Sequence, residues 1–319
     1  MAVEERWQRR FPHLDLDRGA IQRLVGIPVL SSEVLQGGLR NTNYRVQLAG
    51  ESRPVVLRLY TADARACARE AALLRLVADR VPVPGVLGTD STATPPWTLL
   101  ELVDGVRFDQ MLAGASTQEV ETSCRSAGEV LAAIHGFTFA QPGFLGASLE
   151  IAEPMGFPWL TGVAEFFARD GSRQLVGSEL ADNVVRLVER ESWRLADVWT
   201  QARLVHADYK PWNLLVQVSA RGDWRVSAAL DWEFSLSGPP LCDFGIFLRY
   251  ADRMPSQYVS GFLAGYSAAG GTLPDNVRDQ ARLIDLVSLW TFLERAGDDP
   301  AVLNDVTPVL AATVDAFSR

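Results

Sequence analysis

The sequence predicts an α+β fold in two lobes, a small strand-rich one followed by a larger helical one. Three observations predict it. In the first hundred residues, apolar positions alternate in short runs separated by turn residues, as half-buried strands require. Beyond about residue 105 the apolar spacing becomes that of helices. Inside that helical part sits a strand–turn–strand whose two ends carry polar and ionisable residues. At 319 residues the chain is long enough to give each lobe its own core.

In "TNYRVQLAGESRPVVLRLY", Tyr44, Val46 and Leu48 share one face before Gly50-Glu51-Ser52 turns the chain. The following strand sets Val55, Leu57 and Leu59 on one side and Val56, Arg58 and Tyr60 on the other. "AREAALLRLVADR" has helical spacing and stops before Pro82 and Pro84. "WTLLELVDG" is a further strand, ending at Asp104-Gly105. The lobes therefore divide into residues 1–100, a hinge at 101–105, and 106–319. In the second lobe, residues 117 to 135 form a helix and 161 to 200 are mostly helical with breaks. The chain is helical again from about 244, interrupted by Gly270-Gly271 and Pro274. Between them, "NLLVQV" and "WRVSAAL" are strands joined by "SARGD".

Composition removes several function classes. A net charge of −9 opposes a phosphate-neutralising surface, so no nucleic-acid partner is expected. Nowhere do about 18 apolar residues run together, so no membrane span is expected. The start, MAVEERWQRRF, has no apolar run and predicts no signal peptide. Cys67, Cys124 and Cys242 are odd in number and form no metal-type pair, which suits reduced thiols in a cytoplasm.

The chemistry gathers at the hairpin. In an antiparallel pair the start of one strand lies beside the end of the other. Asn213 immediately precedes the first strand and Asp231 follows the second, so their oxygens meet at the open end, with Asp208 a short loop away. An amide and a carboxylate without paired His or Cys suit a hard cation such as Mg²⁺. His206 has no second histidine at metal spacing, because His13 and His135 are remote and read as surface or packing residues. Phosphoryl transfer needs such a cation and a carboxylate that orients the incoming hydroxyl, a task for Asp208. Its ordinary pKa of about 3.9 leaves it ionised at neutral pH. Lys210 would then place a positive charge on the transferring phosphate.

"VHADYKPWNLLV" followed by "ALDWEFSLSGPPLCDFG" resembles the catalytic core of aminoglycoside phosphotransferases and the choline-kinase-like enzymes, small-molecule kinases of the protein-kinase-like fold. The resemblance implies a catalytic Asp208, metal-binding Asn213 and Asp231, and a loop braced by His206 and Asp243. Ala207 stands where many protein kinases have an Arg that docks a phosphorylated activation loop. Only eleven residues separate Asp231 from Asp243. Both features favour a small-molecule kinase over a protein kinase.

The resemblance also gives the first lobe a role. "LQGGLRNTNYRV" resembles the loop that covers the ATP phosphates, with Gly37 and Gly38 permitting a tight turn. Neither a Walker A nor a Rossmann glycine pattern is present. Arg58 holds the strand position of the phosphate-binding lysine of protein kinases. Glu70 heads an apolar helical stripe with Leu73, Leu74 and Val77 and needs a cation there, which Arg58 supplies. The adenine would hydrogen-bond to backbone near Glu101 and Val103, with ATP as the default donor and GTP left open. The expected reaction is phosphate transfer from ATP, with Mg²⁺, to a hydroxyl of a small-molecule acceptor. Glu233, Glu294, Asp298 and Asp299 could line a cationic pocket or lie in solvent, and Trp159, Trp193 and Trp290 could stack on a sugar or pack the core. An antibiotic kinase and a metabolite kinase for choline, a sugar or an amino alcohol explain the residues equally. A nucleotide-binding scaffold is disfavoured by the presence of Asp208, Asn213 and Asp231 together.

Overall fold

In the computed structural model, residues 7, 9, 11–36, 38, 40–156 and 159–318 are described. Asp17 caps the first helix, α1 (Arg18–Val25), accepting the Ala20 N–H at 2.6 Å, and Gly26 ends it in the left-handed conformation. β1 (Val29–Leu35), β2 (Thr42–Leu48) and β3 (Val55–Leu59) follow, then α2 (Ala66–Val77), β4 (Val86–Asp90) and β5 (Trp97–Glu101). The five strands form one antiparallel sheet in the order β1-β2-β3-β5-β4. Register sets Tyr44, Leu57 and Leu99 opposite one another across β2, β3 and β5, and they bury with Ile21 and Val25 of α1 into a small core. The other face of β3 carries Arg58 towards α2. That helix turns Leu73, Leu74 and Val77 into the larger core of the molecule.

β6 (Val106–Arg107) and α3 (Phe108–Leu112) lead to α4 (Thr117–His135). α4 begins on a capping box in which Ser116 and Glu119 satisfy each other's backbone. β7 (Gly143–Leu145) and β8 (Ile151–Pro154) precede α5 (Trp159–Phe167), α6 (Asp170–Val176) and α7 (Ser178–Glu191). Next come β9 (Arg203–Val205), then the expected hairpin of β10 (Leu214–Val218) and β11 (Trp224–Ala229), and β12 (Leu236–Gly238). β6 joins the hairpin edge, and β8-β7-β12-β9 form a separate four-stranded sheet. The chain closes with α8 (Leu241–Leu248), α9 (Ser256–Ala268), α10 (Val277–Ala296) and α11 (Pro300–Ala316).

α4 and α9 pack at backbone distance. A Cβ on Gly128 would lie 2.0 Å from the Phe262 carbonyl oxygen, and one on Gly265 would lie 1.9 Å from that of Arg125. Only glycine permits that approach. The pairing puts the end of α4 against Tyr266 of α9, directly behind the loop between β9 and β10.

Candidate active site

The β9–β10 loop begins with a strained turn. Ala207 has φ 61°, a left-handed conformation costly for a residue with a Cβ. Asp243, fully buried in the first turn of α8, holds it. Its Oδ2 accepts the His206 N–H and its Oδ1 the Ala207 N–H, both at 2.8 Å. The His135 Nε2 lies 3.1 Å from Oδ2, and a carboxylate oxygen accepts, so Nε2 donates and Nδ1 takes the Tyr266 hydroxyl at 3.0 Å. His206 donates from Nε2 to the Leu230 carbonyl at 3.0 Å, which leaves Nδ1 to accept the Asp208 N–H at 3.3 Å. Burial pulls the His206 pKa down and keeps the ring neutral, although Asp243 and Asp231 act in the opposite direction.

Both oxygens of Asp208 are held. Lys210 Nζ lies 2.6 Å from Oδ1, and Asn213 Nδ2 donates to Oδ2 at 2.6 Å and to the Asp208 carbonyl at 3.0 Å. Lys210 is nearly buried and lies over the Trp212 ring, 5.3 Å from its centroid. Because the Asn213 nitrogen faces Asp208, its amide oxygen points elsewhere and is available to a cation.

The hairpin brings Asn213 and Asp231 to the same end. Leu214 pairs with Ala229, and the Leu230 N–H donates to the Asn213 carbonyl at 2.9 Å. Asp231 also has a left-handed backbone, with φ 62°. Arg58 pairs with its Oδ1 and, through Nε, with Glu70 Oε2 at 3.0 Å. Glu70 additionally accepts the Tyr60 hydroxyl at 2.6 Å and the Trp232 N–H at 3.0 Å. Burial raises the Glu70 pKa above the ordinary carboxylate range despite Arg58 and Tyr60. Burial pushes Asp231 the same way, but Arg58 and then Lys210 outweigh it and hold its pKa low. Burial pulls the Arg58 pKa down, and Glu70 and Asp231 more than reverse this, raising it well above the free guanidinium.

Gly38 has φ 68°, a turn that favours glycine, whereas Gly37 lies outside the described residues. At the end of this loop, Asn41 Nδ2 and Arg40 Nε reach Glu233 Oε2 at 3.2 and 3.4 Å, and Arg58 lies 4.0 Å from Oε1. Glu233 is buried and engaged from the first lobe, so it does not line a pocket for a cationic acceptor. The Glu101 N–H is spent on the Gly85 carbonyl at 2.8 Å, while among the described residues nothing bonds the Val103 N–H. The remaining candidates are dispersed. Trp159 stacks on Phe144, Trp290 packs against Phe166, and Trp193 is 68% exposed on the outer surface. Asp299 caps α11.

The structure thus gathers Asp208, Lys210, Asn213, His206, Asp231, Asp243, Arg58 and Glu70. Sequence reasoning missed His135, Tyr60 and the Arg40–Asn41–Glu233 contact. The signals available were a histidine at the end of a helical pattern and a tyrosine on the strand face of Arg58, whereas only folding brings Arg40 and Asn41 to Glu233.

A five-stranded lobe joined to a helical lobe, with an Asp–Asn–Asp set at a hairpin mouth, defines the protein-kinase-like phosphotransferases as the class. Residues 32–284 match the model of the phosphotransferase enzyme family, and the chain belongs to that family of small-molecule kinases. Solved structures share the fold over nearly the whole length. One is a thermostable mutant of aminoglycoside phosphotransferase APH(4)-Ia in ternary complex with AMP-PNP and hygromycin B. It is 17% identical with a TM-score of 0.69, covering 94% of this chain and 97% of that one. The gentamicin complex of APH(2")-IIa is 15% identical with a TM-score of 0.66, covering 94% and 99%. The macrolide 2'-phosphotransferase MphH from Brachybacterium faecium is 19% identical with a TM-score of 0.58, covering 91% and 96%. No curated protein sequence matches the chain.

Proposed function

We propose that the protein transfers the γ-phosphate of ATP to a hydroxyl group of a small molecule in a Mg²⁺-dependent reaction, within the cytoplasm. The acceptor class we favour is an aminoglycoside-type antibiotic or a related metabolite. The observation that carries this reading is Asp208, whose two oxygens are oriented by Lys210 and Asn213 beside the hairpin mouth.

Asp208 receives the hydrogen bond of the acceptor hydroxyl and takes its proton as the oxygen attacks phosphorus. The new O–P bond forms as the bond from phosphorus to the β–γ bridging oxygen breaks, and ADP leaves with that electron pair. Lys210 sits where charge builds on the transferring group, in a nearly dry site where its field acts strongly. Asn213 Oδ1 and the Asp231 carboxylate are hard donors that fit a magnesium ion, which when bound would neutralise phosphate charge. Arg58 faces the same point from the first lobe, and the Val103 N–H at the hinge, residues 101–105, suits a nucleotide base. GTP would meet the same backbone. Residues 1–100 and 106–319 are then the nucleotide-covering and acceptor-binding lobes. No described helix is long and apolar enough to cross a membrane.

A neutral or singly charged metabolite, such as a sugar or an amino alcohol, is the second reading. A polycationic drug needs unpaired carboxylates, yet Asp252 is paired with Arg278 and Arg282, and Asp285 with Arg249. The test is mass spectrometry of pooled aminoglycosides, macrolides, amino alcohols and sugars after incubation with ATP and Mg²⁺, with Asp208→Asn as blank. We expect one product heavier by a phosphate, absent from the blank. Asp208→Asn should bind nucleotide yet lose transfer by about a thousandfold or more. Near-normal transfer by that variant would overturn the assignment of Asp208.

A further inference from the structure

Residues 32–284 match the family model, yet an arrangement built outside that span reaches the nucleotide loop. Arg9 donates from Nη1 to the Gly38 carbonyl at 2.6 Å and from Nη2 to the Asn41 carbonyl at 2.7 Å. One guanidinium therefore holds both limbs of the glycine turn. Two residues earlier, Trp7 is seated on the other lobe. Its Nε1 donates to Asp305 of α11 at 2.8 Å, and its ring stands edge-on to Phe292 of α10, with centroids 4.9 Å apart. Two residues later, the Phe11 ring lies under the Arg40 guanidinium, 5.8 Å away, and Arg40 pairs with Glu233.

We propose that Trp7 and Arg9 form a strap tying the nucleotide loop to the C-terminal helices, in which Arg9 is a positioning residue for that loop. Two residues of chain span at most about 7 Å. The loop therefore cannot move more than a few ångströms from α10 and α11 unless Trp7 or Arg9 lets go. A carbonyl held by a guanidinium is also unavailable to turn towards phosphate oxygens and repel them. The strap pre-organises the loop, so nucleotide binding does not have to order it. The inference rests on the phosphotransferase reading, since a loop that covers no nucleotide gains nothing from being fastened.

The test measures binding of a fluorescent mant-ATP, with Mg²⁺, to the full chain and to Arg9→Ala, Trp7→Ala, the double variant and Arg9→Lys. Hydrogen exchange of peptides covering residues 36–44 and the melting temperature are followed alongside. The single alanine variants should bind nucleotide threefold to tenfold more weakly and exchange faster in those peptides, with melting within a few degrees of wild type. The double variant should be no weaker than the worse single one, because both act through one tether. Arg9→Lys, with a single point donor, should recover part of the affinity. Unchanged affinity and exchange in Arg9→Ala and Trp7→Ala, or losses that multiply in the double variant, would overturn the strap alone. A wild-type chain that binds no nucleotide would overturn the phosphotransferase reading and the strap with it.

Discussion

His206 is fully buried, and its two ring nitrogens have opposite tasks: Nε2 gives its hydrogen to Leu230, and Nδ1 receives the N–H of Asp208. A second proton on Nδ1 would face a donor with a donor, and it would loosen Asp208. Burial lowers the pKa of this ring in the folded chain, while the unfolded chain titrates near the usual value of about 6.5. Below that pH the unfolded state binds a proton that the folded state refuses. The contribution of His206 to stability is therefore complete above about 6.5. It declines as the pH falls from there towards the lowered folded value, by at most about 1.4 kcal/mol per pH unit. Urea denaturation at pH 7.5 and 5.5 should show wild type losing more stability than His206→Asn across that interval, and equal losses would count against this account. The sequence marked His206 and Asp243 as braces only through the family resemblance of the segments that carry them. It gave no means of seeing His135, since that ring lies 108 positions from the carboxylate it supports.

Among the elements, the α4–α9 pair shows how packing overrides local propensity. Replacing a mid-helix glycine by alanine favours an isolated helix by about 1 kcal/mol. At Gly265 the added Cβ would lie 1.9 Å from a backbone oxygen of α4, so the helices must separate. Overpacking of this kind costs about 1–3 kcal/mol, occasionally more, and here it outweighs the gain in propensity. Gly265→Ala should thus lower the melting temperature by several degrees, and a rise would show that the contact yields cheaply. The separation also draws Tyr266 from His135, and with it the support of Asp243, so transfer should fall alongside stability. The helix over 117–135 was legible from its apolar spacing, and the structure adds the capping box of Ser116 and Glu119 at its start. The glycine contact was not, since hydrophobic spacing treats a glycine as silent. β6, β7, β8, β9 and β12 run two to four residues each, too short for alternation to register.

At the scale of the whole molecule, the lobes meet through Arg58, which is 173 positions from Asp231 and still pairs with it. The sequence predicted the Arg58–Glu70 pair from a helical stripe and placed Asp231 at the hairpin mouth. That one guanidinium serves both carboxylates depends on how the sheet docks on the hairpin, which no local pattern encodes. Removing it would leave two carboxylates facing each other across the lobe boundary. Breaking a buried ion pair from one side costs about 3–5 kcal/mol, because the remaining charge stays desolvated. Arg58→Met should lose stability on that scale at pH 7.5. Glu70 titrates above its ordinary range even with Arg58 present, so without it the carboxyl takes a proton still more readily in the folded chain. A folded carboxyl with a raised pKa gains stability relative to the unfolded chain as the pH falls through that value. The deficit of Arg58→Met should accordingly shrink between pH 7.5 and 5.5, against the trend that His206 imposes on wild type. Urea titrations of both proteins at the two pH values measure this directly. A deficit that is constant or grows on acidification would mean that Glu70 and Asp231 are not the charges Arg58 balances, and that the lobes are held together by their apolar contacts.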